Sequence, residues 1–270
     1  MPRRLLATAL VALGVGLTGC SGEDAERPTG DPVTSEEARV LAGLLARDAE
    51  AGGADVVVTA PFGEDGLLTL TGEVDLAGAA GRARAVTSYG DDRPDDVRTL
   101  FFTREEIWVG DVPGMPEVLA GAGLPDVPFV RRPLAPGPDA VPLTDVVVQT
   151  VLNLGAEEPD DAAAFLGGTA TWEGQRSIDS RLASVYRSEA GWSVAVDDSS
   201  DLLLQFEAPL PGQGAGAPED AAADDTAGGT AVDTVTVTLA DHGPRTITLP
   251  AEDQSLDAAA HPEVATALGV

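Results

Sequence analysis

Residues 67–76 of this chain read LLTLTGEVDL, with Leu68, Leu70, Val74 and Leu76 on one face and Thr69, Thr71, Glu73 and Asp75 on the other. A strict period of two suits a β-strand with one dry and one wet face, and no helix. The same texture recurs at 56–58, 82–89, 97–103 and 105–109, then at 169–174, 181–188, 191–197 and 201–208. A last pair, 232–240 and 245–249, brackets Asp241-His242-Gly243-Pro244 as a hairpin. Short turn-rich links between about eleven such segments predict antiparallel neighbours. Gly72 falls on the apolar face and marks a bulge or a close backbone approach.

Helical signals interrupt the strands. Thr34 and Glu37 have capping-box spacing, and Ala38, Leu41 and Leu45 recur on one face beside Val40 and Leu44. This predicts a helix over about 35–50, ended by Gly52-Gly53. Residues 115–140 are rich in Pro and Gly, with a short helix at 116–122. Pro142-Leu143-Thr144-Asp145 opens a stronger helix to about Leu154, stopped by Gly155, and 159–166 reads as a further short one. The pattern is α+β: about eleven antiparallel strands with one apolar face, which they bury either by closing into a barrel or as a strongly bent, incompletely closed sheet wrapped around a few helices. Its interior is either a packed core or a container for an apolar ligand. The candidate cavity lining is Leu68, Leu70, Val74, Phe101 and Trp108 from the sheet, with Val147, Val151 and Leu154 from the helix. Trp172 and Trp192 stand at a cavity mouth or cap the sheet.

The N-terminus carries an address. Arg3 and Arg4 precede thirteen mostly small or apolar residues, Leu5 to Leu17, and the sole cysteine closes Leu17-Thr18-Gly19-Cys20. A basic start and a short apolar run mark a secretory signal, too short for a permanent span of roughly 20 residues. The ending L-T-G-C resembles a bacterial lipoprotein lipobox. That resemblance implies cleavage between Gly19 and Cys20 and a diacylglycerol, with palmitate-type chains, on the Cys20 thiol. Residues 1–19 are then the signal peptide, 20–33 a flexible tether, 34–250 the folded domain and 251–270 a polar tail with a helical turn near 262–268. Residues 210–230 (LPGQGAGAPEDAAADDTAGGT) read as a disordered acidic loop inside that domain. About 14 tether residues reach roughly 20 Å, beyond the Debye length of about 8 Å. With one cysteine, the fold has no disulfide to rely on.

Charge removes several function classes. All 16 cationic side chains are arginines, against 45 Asp+Glu. Loss of Arg3 and Arg4 leaves a formal balance of 14 − 45 = −31. Such a surface repels nucleic acid. Without lysine there is no Schiff base, no phosphate-loop lysine and no serine–lysine pair. The two imidazoles, His242 and His261, lie in a turn and in the tail, and no G-x-S-x-G elbow is present. No cysteine or histidine cluster suggests a metal centre or another cofactor. The acidic groups Asp91, Asp92, Asp95, Asp96 and Asp197, Asp198, Asp201 read as solvated turns without EF-hand spacing.

The stretch Val235-Thr236-Val237-Thr238-Leu239-Ala240-Asp241-His242-Gly243-Pro244, continuing through Ile247-Thr248-Leu249-Pro250, resembles the C-terminal hairpin of LppX/LprG-type envelope lipoproteins. Thr71-Gly72-Glu73-Val74-Asp75 resembles their second strand. These belong with the LolA/LolB-like lipoprotein carriers. The resemblance implies a strongly curved antiparallel half-barrel sheet, LolA-like, with a hydrophobic cavity under its helices that holds acyl chains of lipids or lipoproteins in transit through the envelope. The expectation is therefore a non-enzymatic, monomeric carrier of a lipid or glycolipid, anchored through Cys20 at the outer face of the cytoplasmic membrane. An anchored interaction module with a packed core and an envelope protein partner stays open as the alternative, and a surface hydrolase as a weaker one.

Overall fold

A computed structural model describes residues 27–63, 65–135, 142–210 and 233–270. The signal, Cys20, the tether as far as residue 26 and nearly all of the acidic loop lie outside the described residues.

A two-residue strand β1 (Asp31–Pro32) leads into α1 (Ser35–Ala51). The helix starts where the sequence demands: the Glu37 N–H donates to Thr34 Oγ1 (3.3 Å) and the Thr34 N–H to Glu37 Oε2 (2.7 Å). It ends at Gly52, whose φ of 103° a side chain would resist. Five strands follow as a meander: β2 (Gly53–Phe62), β3 (Gly66–Asp75), β4 (Ala80–Ser88), β5 (Asp96–Thr103) and β6 (Glu106–Gly110). Then come α2 (Met115–Gly121), β7 (Phe129–Pro133), α3 (Leu143–Leu152) and a 3-10 turn at Ala162–Phe165. The second meander is β8 (Ala170–Ile178), β9 (Arg181–Ser188), β10 (Ser193–Asp197), β11 (Leu203–Pro209) and β12 (Thr234–Ala240). The chain closes with β13 (Ser255–Asp257) and α4 (Pro262–Leu268).

Among the described residues, thirteen strands form one open sheet in the order β1-β8-β9-β10-β11-β12-β2-β3-β4-β5-β6-β7-β13. All pairings are antiparallel except β7 with β13. Strand β12 joins the two meanders, pairing Val237 with Phe206 on β11 and with Val58 on β2. One apolar cluster runs from Leu41 and Leu44 of α1 through Leu70, Phe102 and Val237 of the sheet to Val147 and Leu152 of α3.

Gly72 resolves to a close approach. It sits opposite Ala83 without a register shift, and a Cβ there would lie 2.0 Å from the Arg82 carbonyl oxygen. The sheet's bulges occur at Trp172/Gly174 and Ala195/Val196.

Several expectations need correction. Residues 245–249 form no strand. Both edges of β12 are already taken by β11 and β2, so a hairpin partner has nowhere to pair. That stretch instead crosses the start of β2: the Gly243 N–H donates to the Gly53 carbonyl at 2.9 Å, and Arg245 Nη2 to Asp55 Oδ1 at 3.0 Å. Residues 251–270 are no loose tail. β13 extends the sheet, while Leu256, Val264 and Leu268 enter the main core. The Pro/Gly-rich stretch hides β7, whose Val130 is fully buried beside Val109.

Helix α3 is fixed to β7 by charge as well as packing. Arg132 donates to both Asp145 oxygens at 2.7 and 2.6 Å, and the Ala135 N–H donates to Oδ2 at 2.9 Å. Asp145 has no exposed side-chain surface.

Candidate functional site

Where α1 lies across the second meander, the two do not pack fully. A cavity of about 460 Å³ remains between Leu41, Leu44 and Leu45 of α1, the end of α3, and the sheet. The volume falls within the few hundred to 1,000 Å³ that small-molecule sites occupy. Its sheet wall is Val194 from β10, Phe206, Ala208 and Pro209 from β11, and Val235 from β12. Register explains this wall. Val194 stands opposite Phe206, and Ala208 opposite Val235, so alternate residues of neighbouring strands present one apolar face. Trp192 and Phe165 close one side, edge to face with centroids 6.4 Å apart.

The polar part of the lining is Thr150, Asn153 and Asp160. The segment carrying Asp160 is pinned to α1, with the Asp160 N–H donating to the Ala42 carbonyl (2.8 Å) and the Ala156 N–H to the Leu45 carbonyl (3.1 Å). Arg104 Nη1 donates to Asn153 Oδ1 at 3.2 Å and Nη2 to the Leu152 carbonyl at 3.1 Å. The chain leaves the described structure at Leu210 and returns at Asp233, joined by a 2.9 Å backbone bond beside Pro209 and Val235. Leu210 and Asp233 thus lie next to residues of the cavity lining.

Of the sequence-predicted lining residues, Leu154 lines this cavity. Leu68, Leu70, Val74, Val147 and Val151 sit in the packed core away from it. Phe101 and Trp108 face each other across β5 and β6, on the side opposite Leu100, Phe102, Ile107 and Val109. Phe101 packs edge to face on Phe129 at 5.5 Å. The parity of β5 and β6 thus sends both rings to the sheet face opposite the main cluster, where Trp108 is still buried. Trp192 takes a place in the cavity wall, whereas Trp172 lies under the Arg27 guanidinium at 5.1 Å. Gly19 and Cys20 lie outside the described residues. Among the described residues no cluster of His, Cys, Asp and Glu suits a metal ion.

A second feature carries no mark in the sequence. Asp48 of α1 is fully buried, with His242 Nε2 3.9 Å from its Oδ1. The Leu203 N–H donates to that Oδ1 at 3.1 Å. Asp48 Oδ2 and both His242 ring nitrogens have no hydrogen-bond partner among the described residues. Burial pushes the Asp48 carboxyl up to about 7, against smaller lowering effects of the Leu203 N–H and Arg47. Burial, and then Arg181, holds His242 below its ordinary value. The folded chain keeps the Asp48 proton that the unfolded chain releases near 3.8, so this group's contribution to stability falls as pH rises from about 4 to about 7. His242 acts in the opposite sense, because the unfolded chain binds its proton more readily below 6.5. Asp48→Asn keeps an acceptor for Leu203 and has no charge to desolvate. It is expected to raise stability above pH 7 by up to about 4 kcal/mol and to change it little at pH 4. Urea melts at the two pH values check this; equal gains at both would contradict it.

No family model matches the chain, and no curated protein matches it. Among solved structures, the fold is similar to the crystal structure of LprF from Mycobacterium bovis, at 14% identity over 82% of this chain and 99% of that one, with a TM-score of 0.43. It is also similar to an uncharacterized conserved protein from Thermus thermophilus, at 10% identity over 83% and 98% of the two chains, with a TM-score of 0.37.

Proposed function

We propose that this chain is a lipid-anchored envelope protein that carries an aliphatic chain non-covalently in the cavity between α1 and β10–β12. The carrying observation is that cavity: about 460 Å³, walled by leucine, valine and aromatic side chains, with polar groups gathered at Thr150, Asn153 and Asp160. A dry apolar pocket takes up alkyl chains because each buried methylene contributes about 0.8 kcal/mol. The role needs no nucleophile. His242, the imidazole a hydrolase would use, is buried against Asp48 with no described hydroxyl bonded to either ring nitrogen. Native mass spectrometry of residues 20–270 bearing Cys20→Ala, purified without detergent, should show a bound lipid or stoichiometric uptake of an added one. A protein that stays ligand-free with excess lipid overturns the proposal.

The anchor through Cys20 belongs to the same reading. Two acyl chains suffice for stable attachment. Cys20→Ala should abolish metabolic labelling by a fatty acid and release the protein from the membrane fraction. Unchanged labelling would contradict the assignment.

A further inference from the structure

Resting on the carrier reading, the geometry points to a narrower ligand: we infer that the cavity takes a lipid with one aliphatic chain and an uncharged, hydroxyl-bearing headgroup. Size sets the chain number. A cavity of about 150 Å³ holds one benzene, roughly 25 Å³ per carbon. At that scale about 460 Å³ accommodates roughly eighteen carbons, one long acyl chain. A second chain of that length would need about twice the space.

Charge sets the headgroup. Among the described residues lining the cavity there is no arginine, and the chain contains no lysine. The lining's one ionisable group among those residues is the Asp160 carboxylate. A fatty-acid carboxylate or a phosphate would meet a like charge there. Arg104 is not itself among the lining residues: it stands behind Asn153, donating to Asn153 Oδ1 and the Leu152 carbonyl. That contact also orients the amide. Arginine only donates, so Asn153 must turn its oxygen toward Arg104, and its NH₂ is left to donate elsewhere. The lining therefore offers an amide donor and a carboxylate acceptor. A hydroxyl group, which both donates and accepts, matches that pair.

The test uses three probes with one chain length: monopalmitoylglycerol, dipalmitoylglycerol and palmitate. Each is titrated at neutral pH, below its aggregation limit, into wild-type residues 20–270 bearing Cys20→Ala and into the same protein with Asp160→Arg. Asp160 is exposed and its backbone bond to Ala42 is kept, so the fold tolerates the change. Expected are one-to-one binding of monopalmitoylglycerol, with dipalmitoylglycerol and palmitate each weaker by about tenfold. Asp160→Arg should raise palmitate affinity by at least about tenfold. Equal binding of the two-chain probe overturns the chain number. Equal binding of palmitate by the unsubstituted protein, or no response to Asp160→Arg, overturns the headgroup. Failure of all three probes strikes the carrier reading itself.

Discussion

Arg132→Ala is expected to destabilise the fold by about 3–5 kcal/mol, the range for breaking one partner out of a buried ion pair. Asp145 is wholly buried in the first turn of α3, and Arg132 of β7 reaches it with two bonds of 2.7 and 2.6 Å. Removing the guanidinium leaves a carboxylate in the interior with the Ala135 N–H as its remaining donor among the described residues. Arg132→Lys keeps a charge but loses the fork that fits both oxygens, so it should recover part of the loss. The pair as a whole is not strongly stabilising, because both ions were taken from water. The double variant Arg132→Met with Asp145→Leu should therefore lie much closer to wild type than either single change. Urea unfolding followed by circular dichroism decides it, and a single variant within about 1 kcal/mol of wild type would contradict the account. Helix α3 also carries Thr150 and ends next to Asn153 and Leu154, so Arg132→Ala should loosen the cavity as well.

Ala208→Trp should abolish lipid uptake and leave the fold intact. Ala208 is the smallest residue in the cavity's sheet wall, opposite Val235 on β12. An indole at that position projects into open space between α1 and the sheet. Overpacking in a filled core costs about 1–3 kcal/mol, and here that strain should be mostly absent. Occupied volume is unavailable to a ligand, so affinity for a long-chain lipid should fall by at least about tenfold, or 1.4 kcal/mol. The measurement pairs a lipid titration with a thermal melt. Undiminished binding in a well-folded Ala208→Trp protein would place the ligand elsewhere.

The strands with a clean period of two were legible because burying one sheet face leaves that mark in every second residue. Leu68, Leu70 and Val74 are all fully or nearly fully buried, as their spacing demands. Helix α1 was equally plain from its capping box and its leucines. What could not be read was how distant segments meet. β7 and β13 lack a long alternating run: β7 gains its place by pairing with β6 across the helix α2, and β13 by pairing with β7 across more than a hundred residues of sequence. The sheet side of the expected lining belongs to the first meander, but α1 leaves its gap over the second, where β12 brings Val235 beside Ala208. Phe101 and Trp108 were hydrophobic enough for either face. Their place in the alternation of β5 and β6 puts them on the face opposite Leu100, Phe102, Ile107 and Val109. The Asp48–His242 pair joins residues from α1 and the segment after β12, and no local pattern announces it.

The position of the bound chain is open to direct measurement through Trp192, which lines the cavity. In residues 20–270 with Cys20→Ala, Trp108→Phe and Trp172→Phe, Trp192 is the remaining tryptophan. Titration with a monoacylglycerol brominated along its chain should quench that fluorescence, saturating at one equivalent. Saturable binding that leaves Trp192 unquenched would contradict the assignment of this cavity as the lipid site.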